Sequence, residues 1–398
     1  MAVDVAHLKK VACEAIENLS GELNELSQEL WKNPELGYQE HRAHGVLIEC
    51  LRKFGFDKVT PNFVTETGFK AEFGHGSPHI AVLCEYDALP GIGHACGHNL
   101  IAEAGVAAGV GIKAAMQAAG QNIGKVTVLG TPAEEEQGGK LDMVQAGFFK
   151  DVDAAMMVHP CPFNNVRADF AICIRKVRLK YFGHASHAAA YPWQGINALD
   201  AAVLCYNNVS VLRQQMKPNW RVHGVIHNGG VKPNIIPDET ELEFYVRAPT
   251  MNELAELVKK VHFCFESAAQ ATGCTVEVKW CDRPYANVIS NSKLVKLYTN
   301  NAMTLGLDMN CPPEDEMPQR GSTDMGNVSY EVPSIHPMYA IEAEAANHTK
   351  EFTVASGDSK AQPATLLQGK TMAMTALDVF VQPAILPEMK EELAKSIK

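Results

Sequence analysis

Membrane-spanning runs, a secretory leader, paired cysteines and excess positive charge are all missing from this sequence, and each absence narrows its role. The longest apolar stretches are broken by polar residues short of a bilayer span, so no membrane partner is expected. The opening MAVDVAHLKK has neither the basic start nor the apolar run of a secretory leader. The 11 cysteines are scattered singly, odd in number and without a CxxC pair. That pattern belongs to reduced thiols rather than to a disulfide framework or a zinc knuckle, and a cytoplasmic (cytosolic) location is the expectation. Lys and Arg number 35 against 46 Asp and Glu, a net charge of −11. Phosphate binding needs a basic surface, so no nucleic-acid partner is expected, although a local pocket can oppose the global sign.

What is present suits an ordinary globular chain: 46% hydrophobic, 20% charged, and 398 residues, room for two or three domains. Leu19, Leu23, Leu26 and Leu30 recur at helical spacing, as do Val46, Leu47, Leu51 and Phe54, with Asn33-Pro34 between them. Strand-length apolar runs follow at Gly68–Phe73, His79–Cys84 and Lys125–Gly130, and an Ala/Gly-rich helix at Ile101–Ala119 separates the last two. Strand, helix, strand predicts an α/β domain with a largely parallel sheet, whose ligands bind beyond the carboxyl ends of strands. From Ala171 to Pro284 the texture changes: strand 172–181, helix from Ala188, strands 222–227 and 240–248, helix 252–271, strand 274–280. This βαββαβ order predicts an inserted α+β domain with an antiparallel sheet. The expected organisation is therefore 1–170 with 285–398 as one domain and 171–284 as the insert.

The densest chemical signal is Glu85-Tyr86-Asp87-Ala88-Leu89-Pro90 followed by His94-Ala95-Cys96-Gly97-His98-Asn99, just past a strand. Cys96 and His98 can face one ion because the intervening glycine permits a tight turn, and thiolate with imidazole suits zinc or another borderline divalent ion. The next strand ends in Thr131-Pro132-Ala133-Glu134-Glu135-Glu136. Adjacent carboxylates at a strand end repel one another unless cations compensate; dinuclear hydrolases use one as a ligand and its neighbour as general base. His159 ends another apolar run, and His348 sits in Asn347-His348-Thr349. Taken singly, each reads equally as a buried thiol, a solvated acidic loop or a structural histidine. Together, Cys96, His98, Glu135, His159 and His348 are ligands enough for two ions. In the insert, Gly183-His184-Ala185-Ser186-His187, Asn234 and Arg247 have no decisive spacing, and Gly321-Ser322-Thr323-Asp324 is a polar loop.

These strings, in this order, resemble the dinuclear metallopeptidase family of carboxypeptidase G, aminoacylases and plant auxin-conjugate amidohydrolases. The similarity begins at Asn33-Pro34-Glu35-Leu36-Gly37 with Glu40 and runs to the helix after His348. Cys96-Gly97-His98, Pro132–Glu135 and Gly321–Ser329 are similar to the branch holding β-alanyl-lysine dipeptidases and aminobenzoyl-glutamate hydrolases. The resemblance implies two divalent metal ions, zinc or manganese, held by Cys96, His98, Glu135, His159 and His348. It implies Glu134 as general base, Asp87 orienting a ligand, and Asn234 and Arg247 on the substrate. It also implies that the insert is a lid and dimerisation domain, with His187 reaching across a homodimer interface. Two departures stand out: Glu136 replaces a small or shorter residue, which leaves Glu135/Glu136 open as the base and ligand pair, and Asn99 replaces an aspartate.

The expected activity is hydrolysis of an amide bond in a small molecule, first β-alanyl-lysine-type dipeptides, second N-acyl or aminobenzoyl amino acids. Glu134 would take a proton from the attacking water and His187 would donate to the oxyanion. The acidic loop Pro313-Glu314-Asp315-Glu316 could meet a basic side chain or simply be solvated. Two rivals are a cysteine hydrolase with Cys96 as nucleophile and His98 as base, whose vicinal geometry is poor, and a metal-free binding relative.

Overall fold

A computed structural model describes residues 4–56, 58–166, 171–307 and 321–397; the acidic stretch 313–316 lies outside them. The chain forms two compact units, 1–170 with 288–398, and 171–287. The first opens with α1 (Val5–Asn18), α2 (Ser20–Lys32) and α3 (His41–Lys53), then β1 (Lys58–Pro61), β2 (Phe69–Gly74) and β3 (His79–Cys84). It continues through α4 (His98–Ala118), β4 (Lys125–Gly130), α5 (Gly139–Gln145), β5 (Ala154–Met156) and β6 (His159–Cys161). The second unit is β7 (Cys173–Phe182), α6 (Ala198–Leu212), β8 (Arg221–Asn228), β9 (Glu239–Ala248), α7 (Met251–Thr272) and β10 (Thr275–Trp280). The chain then returns as α8 (Ser292–Thr304), α9 (Met325–Glu331), β11 (Ser334–Ile335), β12 (Met338–Ala340), α10 (Lys350–Gly357), α11 (Ala361–Val381) and α12 (Leu386–Ser396).

In the first unit the main sheet runs β1-β2-β4-β3-β5-β11. The strands β4, β3, β5 and β11 pair in parallel, while β1 and β2 add an antiparallel edge. Helices cover both faces, so β3 is buried at every position, as a two-sided parallel strand must be. Ile80 and Val82 join the core beneath α1, α4 and α11; Ala81 and Leu83 join a separate core with Met143, Phe149 and Met325. The mixed, largely parallel sheet read from the sequence is the one observed. The helix α4 is long and apolar enough to cross a bilayer, yet 89% of that window is buried in the fold; its hydrophobicity serves the core.

The second unit has a four-stranded antiparallel sheet, β10-β7-β9-β8. Leu242, Phe244, Val246 and Ala248 alternate inward from β9 onto a core shared with α6 and α7. The helix expected from Ala188 begins ten residues later, at Ala198. The intervening residues form a turn in which the His187 ring takes the backbone N–H groups of Ala189 and Ala190, and the Asn197 side chain caps α6 at Leu199. Likewise the Leu19–Leu30 periodicity belongs to α2 alone, because Leu19 ends α1.

Burial of Glu103 inside the α4 core, opposed by weaker hydrogen bonding from Ser27 and Gln362, pushes its carboxyl up to about 8. The folded chain therefore holds a proton that the unfolded chain releases above its ordinary value of 4.5. Stability should fall as pH rises from about 4.5 to about 8 and level off above. Glu103→Gln should remove that fall and be more stable at pH 8, by on the order of 4 kcal/mol. Urea unfolding of both proteins across this range checks it; parallel pH profiles would refute it.

Candidate metal centre

Parallel strands bring their carboxyl ends to one edge of a sheet, and β4, β3 and β5 are adjacent and parallel. The residues that leave those ends are Glu134 and Glu135 after β4, Glu85 and Asp87 after β3, and His159 after β5. Cys96 and His98 arrive at the same place at the start of α4. Gly97 between them has φ +80°, and a Cβ there would lie 2.5 Å from Pro160 Cγ. Glycine is thus needed both for the left-handed turn and for the close approach. The helix begins at His98 rather than Ile101, so this ligand stands on a rigid element.

The donor atoms of Cys96, His98 and His159 lie within 4.8 Å of one another, as do those of Cys96, Glu135 and His348, and those of His98, Glu134 and Glu135. His98 Nδ1 is 3.0 Å from Asp87 Oδ1, which orients the ring and turns Nε2 toward the remaining donors. That nitrogen is 3.4 Å from Glu85 Oε2 and 3.9 Å from Glu135 Oε1. Among the described residues, His98 Nε2, Glu85 Oε2 and Glu135 Oε1 are all buried without a hydrogen-bond partner. Buried carboxylate oxygens this close to an imidazole nitrogen call for a cation or a proton beside them. His159 Nδ1 donates to Pro160 O at 2.8 Å, so its Nε2 keeps a lone pair on the side of Cys96 Sγ, with which it shares a hydrogen bond at 3.4 Å. Sulfur, imidazole and carboxylate together form the donor set of a borderline divalent ion, and the residues present fit such ions.

The supporting contacts explain the outlying motifs. Asp87 holds His98 with one oxygen and accepts the Glu135 backbone N–H with the other, at 3.1 Å. Ala133 sits at φ +58°, strained for a non-glycine residue. Its N–H donates to Glu40 Oε1 at 2.8 Å, while Thr67 Oγ1 holds Glu40 Oε2 at 2.9 Å. His348, at φ +69°, is anchored by its N–H to Ala95 O at 2.8 Å and points Nε2 to 3.5 Å from Glu135 Oε1. Glu136 is exposed and joins none of the donor groups, whereas Glu134 and Glu135 lie inside them. Asn99 turns away, donating to Ser27 Oγ and Ser356 O.

Burial, reinforced by Glu85 and Glu135, raises the Glu134 carboxyl well above its ordinary range; burial also raises Glu135, against the pull of His98 and His348. Burial, then the charge of Glu135, pushes the Cys96 thiol well up. A nucleophile and a metal ligand both need the thiolate, and a divalent ion held by the neighbouring donors would supply the charge that favours it.

In the second unit, His187 and Asn234 are neighbours: Ala188 N–H donates to Asn234 O at 3.1 Å, and His187 pairs with Ile235. Arg247 is placed apart from them. It stands near the far end of β9, where its Nε donates to His223 Nε2 at 3.3 Å. The His187 turn is tied to the start of that strand through Gly183 N–H on Asp238 O. Eight strand steps separate the two ends, about 27 Å. Sequence reasoning gave no role to Glu85, Lys140, Asp324 or the buried His336, whose ring lies 5.7 Å from that of His159. Glu85 and Asp324 stood in quoted motifs; nothing in the sequence marks Lys140 as buried.

The model of peptidase family M20/M25/M40 matches residues 81–362. The chain belongs to that family. Among curated relatives it is 50% identical to the Xaa-Arg dipeptidase of Mus musculus, over 98% of this chain and 93% of that protein. It is 28% identical to one of the subunits of the p-aminobenzoyl-glutamate hydrolase of Escherichia coli (strain K12), over 95% and 93%. A Bacillus subtilis structure, described as a dinuclear metal-binding peptidase of this family, superposes with a TM-score of 0.70 at 19% identity, covering 92% of this chain and 99% of that one. The family is one of peptidases, hydrolases of peptide bonds, and the family resemblance read from the motifs is correct.

Asp87→Asn should weaken metal affinity about 10- to 100-fold, since it loosens both His98 and the Glu135 backbone. Competition against a chromophoric chelator measures this, and an unchanged affinity would refute the assignment.

Proposed function

We propose that this chain is a metal-dependent dipeptidase that cleaves small dipeptides with a basic C-terminal residue, such as β-alanyl-lysine-type substrates. The observation that carries the reading is the convergence of unpartnered buried His98 Nε2, Glu85 Oε2 and Glu135 Oε1 beside Glu134. Substrate class draws support from the mouse Xaa-Arg dipeptidase at 50% identity. The bacterial aminobenzoyl-glutamate hydrolase supports a second reading, an N-acyl or aminobenzoyl amino-acid amidohydrolase.

Cys96, His98, Glu135, His159 and His348 would hold two divalent ions, zinc by the thiolate and imidazole donors, with manganese also accepted by the carboxylates. Bound there, such ions would supply Lewis acidity and make a water in the site more acidic. Glu134 would take a proton from a water attacking the amide carbonyl and pass it to the departing amine. His187 Nδ1 accepts two backbone N–H groups, each at 3.2 Å, so its proton resides on Nε2, the state needed to donate to a developing oxyanion. Asn234, beside it, would meet the substrate's polar end, and Arg247 its carboxylate. The His187 turn adjoins the start of β9 and Arg247 stands near its far end, eight strand steps or about 27 Å of strand away. That separation supports a homodimer in which each site takes Arg247 from its own chain and His187 from its partner, with the insert as lid and dimerisation domain. A cytosolic location completes the proposal.

Glu134→Gln should keep its metal content and lose about 10²–10⁴-fold in kcat. Metal-depleted enzyme should be inactive on a panel of dipeptides and N-acyl amino acids and should recover as single ions are added back. Activity that survives both treatments would sink the hydrolase mechanism. His187→Ala should lose about 100-fold in kcat. Mixing it with Glu134→Gln and allowing subunit exchange should restore activity, because one site of each hybrid pairs an intact Glu134 with an intact His187. A mixture no more active than its components would show that His187 does not act across an interface.

A further inference from the structure

Beside the candidate metal centre, two buried carboxylates, Glu85 and Asp324, hold one ammonium, with a third, Glu134, close to both. The oxygens of Glu85, Glu134 and Asp324 lie within 4.8 Å of one another. Lys140, fully buried, bonds Glu85 Oε1 and sits 2.6 Å from Asp324 Oδ1. Its backbone N–H also donates to Asp324 Oδ2 at 3.0 Å, so both Asp324 oxygens are committed to this one residue. Lys140 is carried there by α5, whose first residue, Gly139, packs so tightly that a Cβ would come 2.0 Å from Pro132 O. Pro132 directly precedes the Ala133-Glu134 turn, so the lysine and the proposed base share one rigid join. Because Lys140 engages one oxygen of Glu85, the other, unpartnered, is turned to 3.4 Å from His98 Nε2.

We infer that Lys140 is the site's built-in cation: its ammonium fills an oxygen-lined pocket that would otherwise take a third divalent ion, and thereby positions Glu85 and Glu134. The donor set supports this, since three close carboxylate oxygens in a dry interior are what a hard divalent cation binds, and without any cation they repel one another. Asp324 and Glu85, outweighing burial, hold the ammonium charged. A fixed lysine gives the pocket constant charge and geometry whatever ions are available. Lys140 touches neither the metal-facing nitrogen nor the substrate; it is a positioning residue acting through Glu85 and Glu134. The inference rests on the proposed dinuclear hydrolase.

The test counts ions and separates kcat from KM. Wild-type enzyme and Lys140→Met are equilibrated with Mn²⁺, desalted, and their bound metal measured by mass spectrometry alongside steady-state kinetics. Lys140→Met should hold one more Mn²⁺ per chain than wild type, with kcat reduced about 100-fold and KM within about threefold. Lys140→Arg, which keeps the charge, should bind no extra ion and recover most of kcat. Wild-type kcat in Lys140→Met, or a metal content equal to wild type, overturns the inference. If Lys140→Met does not fold, Lys140→Met with Asp324→Asn removes one charge of each sign. It should fold, bind the wild-type number of ions and remain about 100-fold low in kcat, and wild-type kcat there also overturns the inference. A wild-type enzyme that is active without metal would instead sink the proposed function, a separate outcome read in the same samples.

Discussion

Concentrated negative charge in a dry interior is the constraint around which the first unit is organised. Glu85, Asp87, Glu134 and Asp324 are all buried, with Glu135 nearly so, and Lys140 is the ammonium placed permanently among them. Such a cluster costs far more than any surface ion pair returns, so the fold tolerates it only because protons or metal ions complete it. The raised carboxyls of Glu134 and Glu135 and the raised thiol of Cys96 are the proton-bound form of that balance. Cation binding and proton release at this site are therefore one event. The surrounding structure serves to keep the donors in place in either state. Asp87 orients the ring of His98, Pro160 O fixes the tautomer of His159, and Glu40 pins the strained Ala133 turn.

Much of this was legible in the sequence because the donors come in short local groups. Cys96-Gly97-His98 and Glu134-Glu135 are each close in sequence and each follow a strand, so the parallel-sheet rule alone predicts that they meet. The strand runs were readable for the same reason: β3 and β4 are short, mostly apolar segments at the bounds read from the sequence. His348, a lone histidine in a polar stretch, gained weight only when counted with the others and with the family resemblance, and it reaches the site from a loop held by Ala95.

What stayed hidden depends on tertiary context. Lys140 follows two glycines at the start of a short helix, a place where a lysine is ordinarily solvated, and only its approach to Glu85 and Asp324 reveals otherwise. Asp324 occupies the N-cap of α9, yet its side chain spends both oxygens on Lys140 and makes no capping bond. A sequence reader would credit it with the local role. The late start of α6 has a similar origin. The alanines after His187 favour a helix by propensity, but the histidine ring engages their N–H groups, and the helix waits for the better cap at Asn197.

That turn also shows how the two units divide the chemistry. The first unit carries every metal-facing donor and the proposed base; in the second, the exposed His187 holds backbone N–H groups on Nδ1, which suits it to the oxyanion role proposed above. In the proposed mechanism, an oxyanion donor on a separately cored unit would let the metal centre remain rigid while the donor arrives with the substrate. The same sheet carries Arg247 near the end of β9 opposite the His187 turn, and the pairing of chains proposed above rests on that placement.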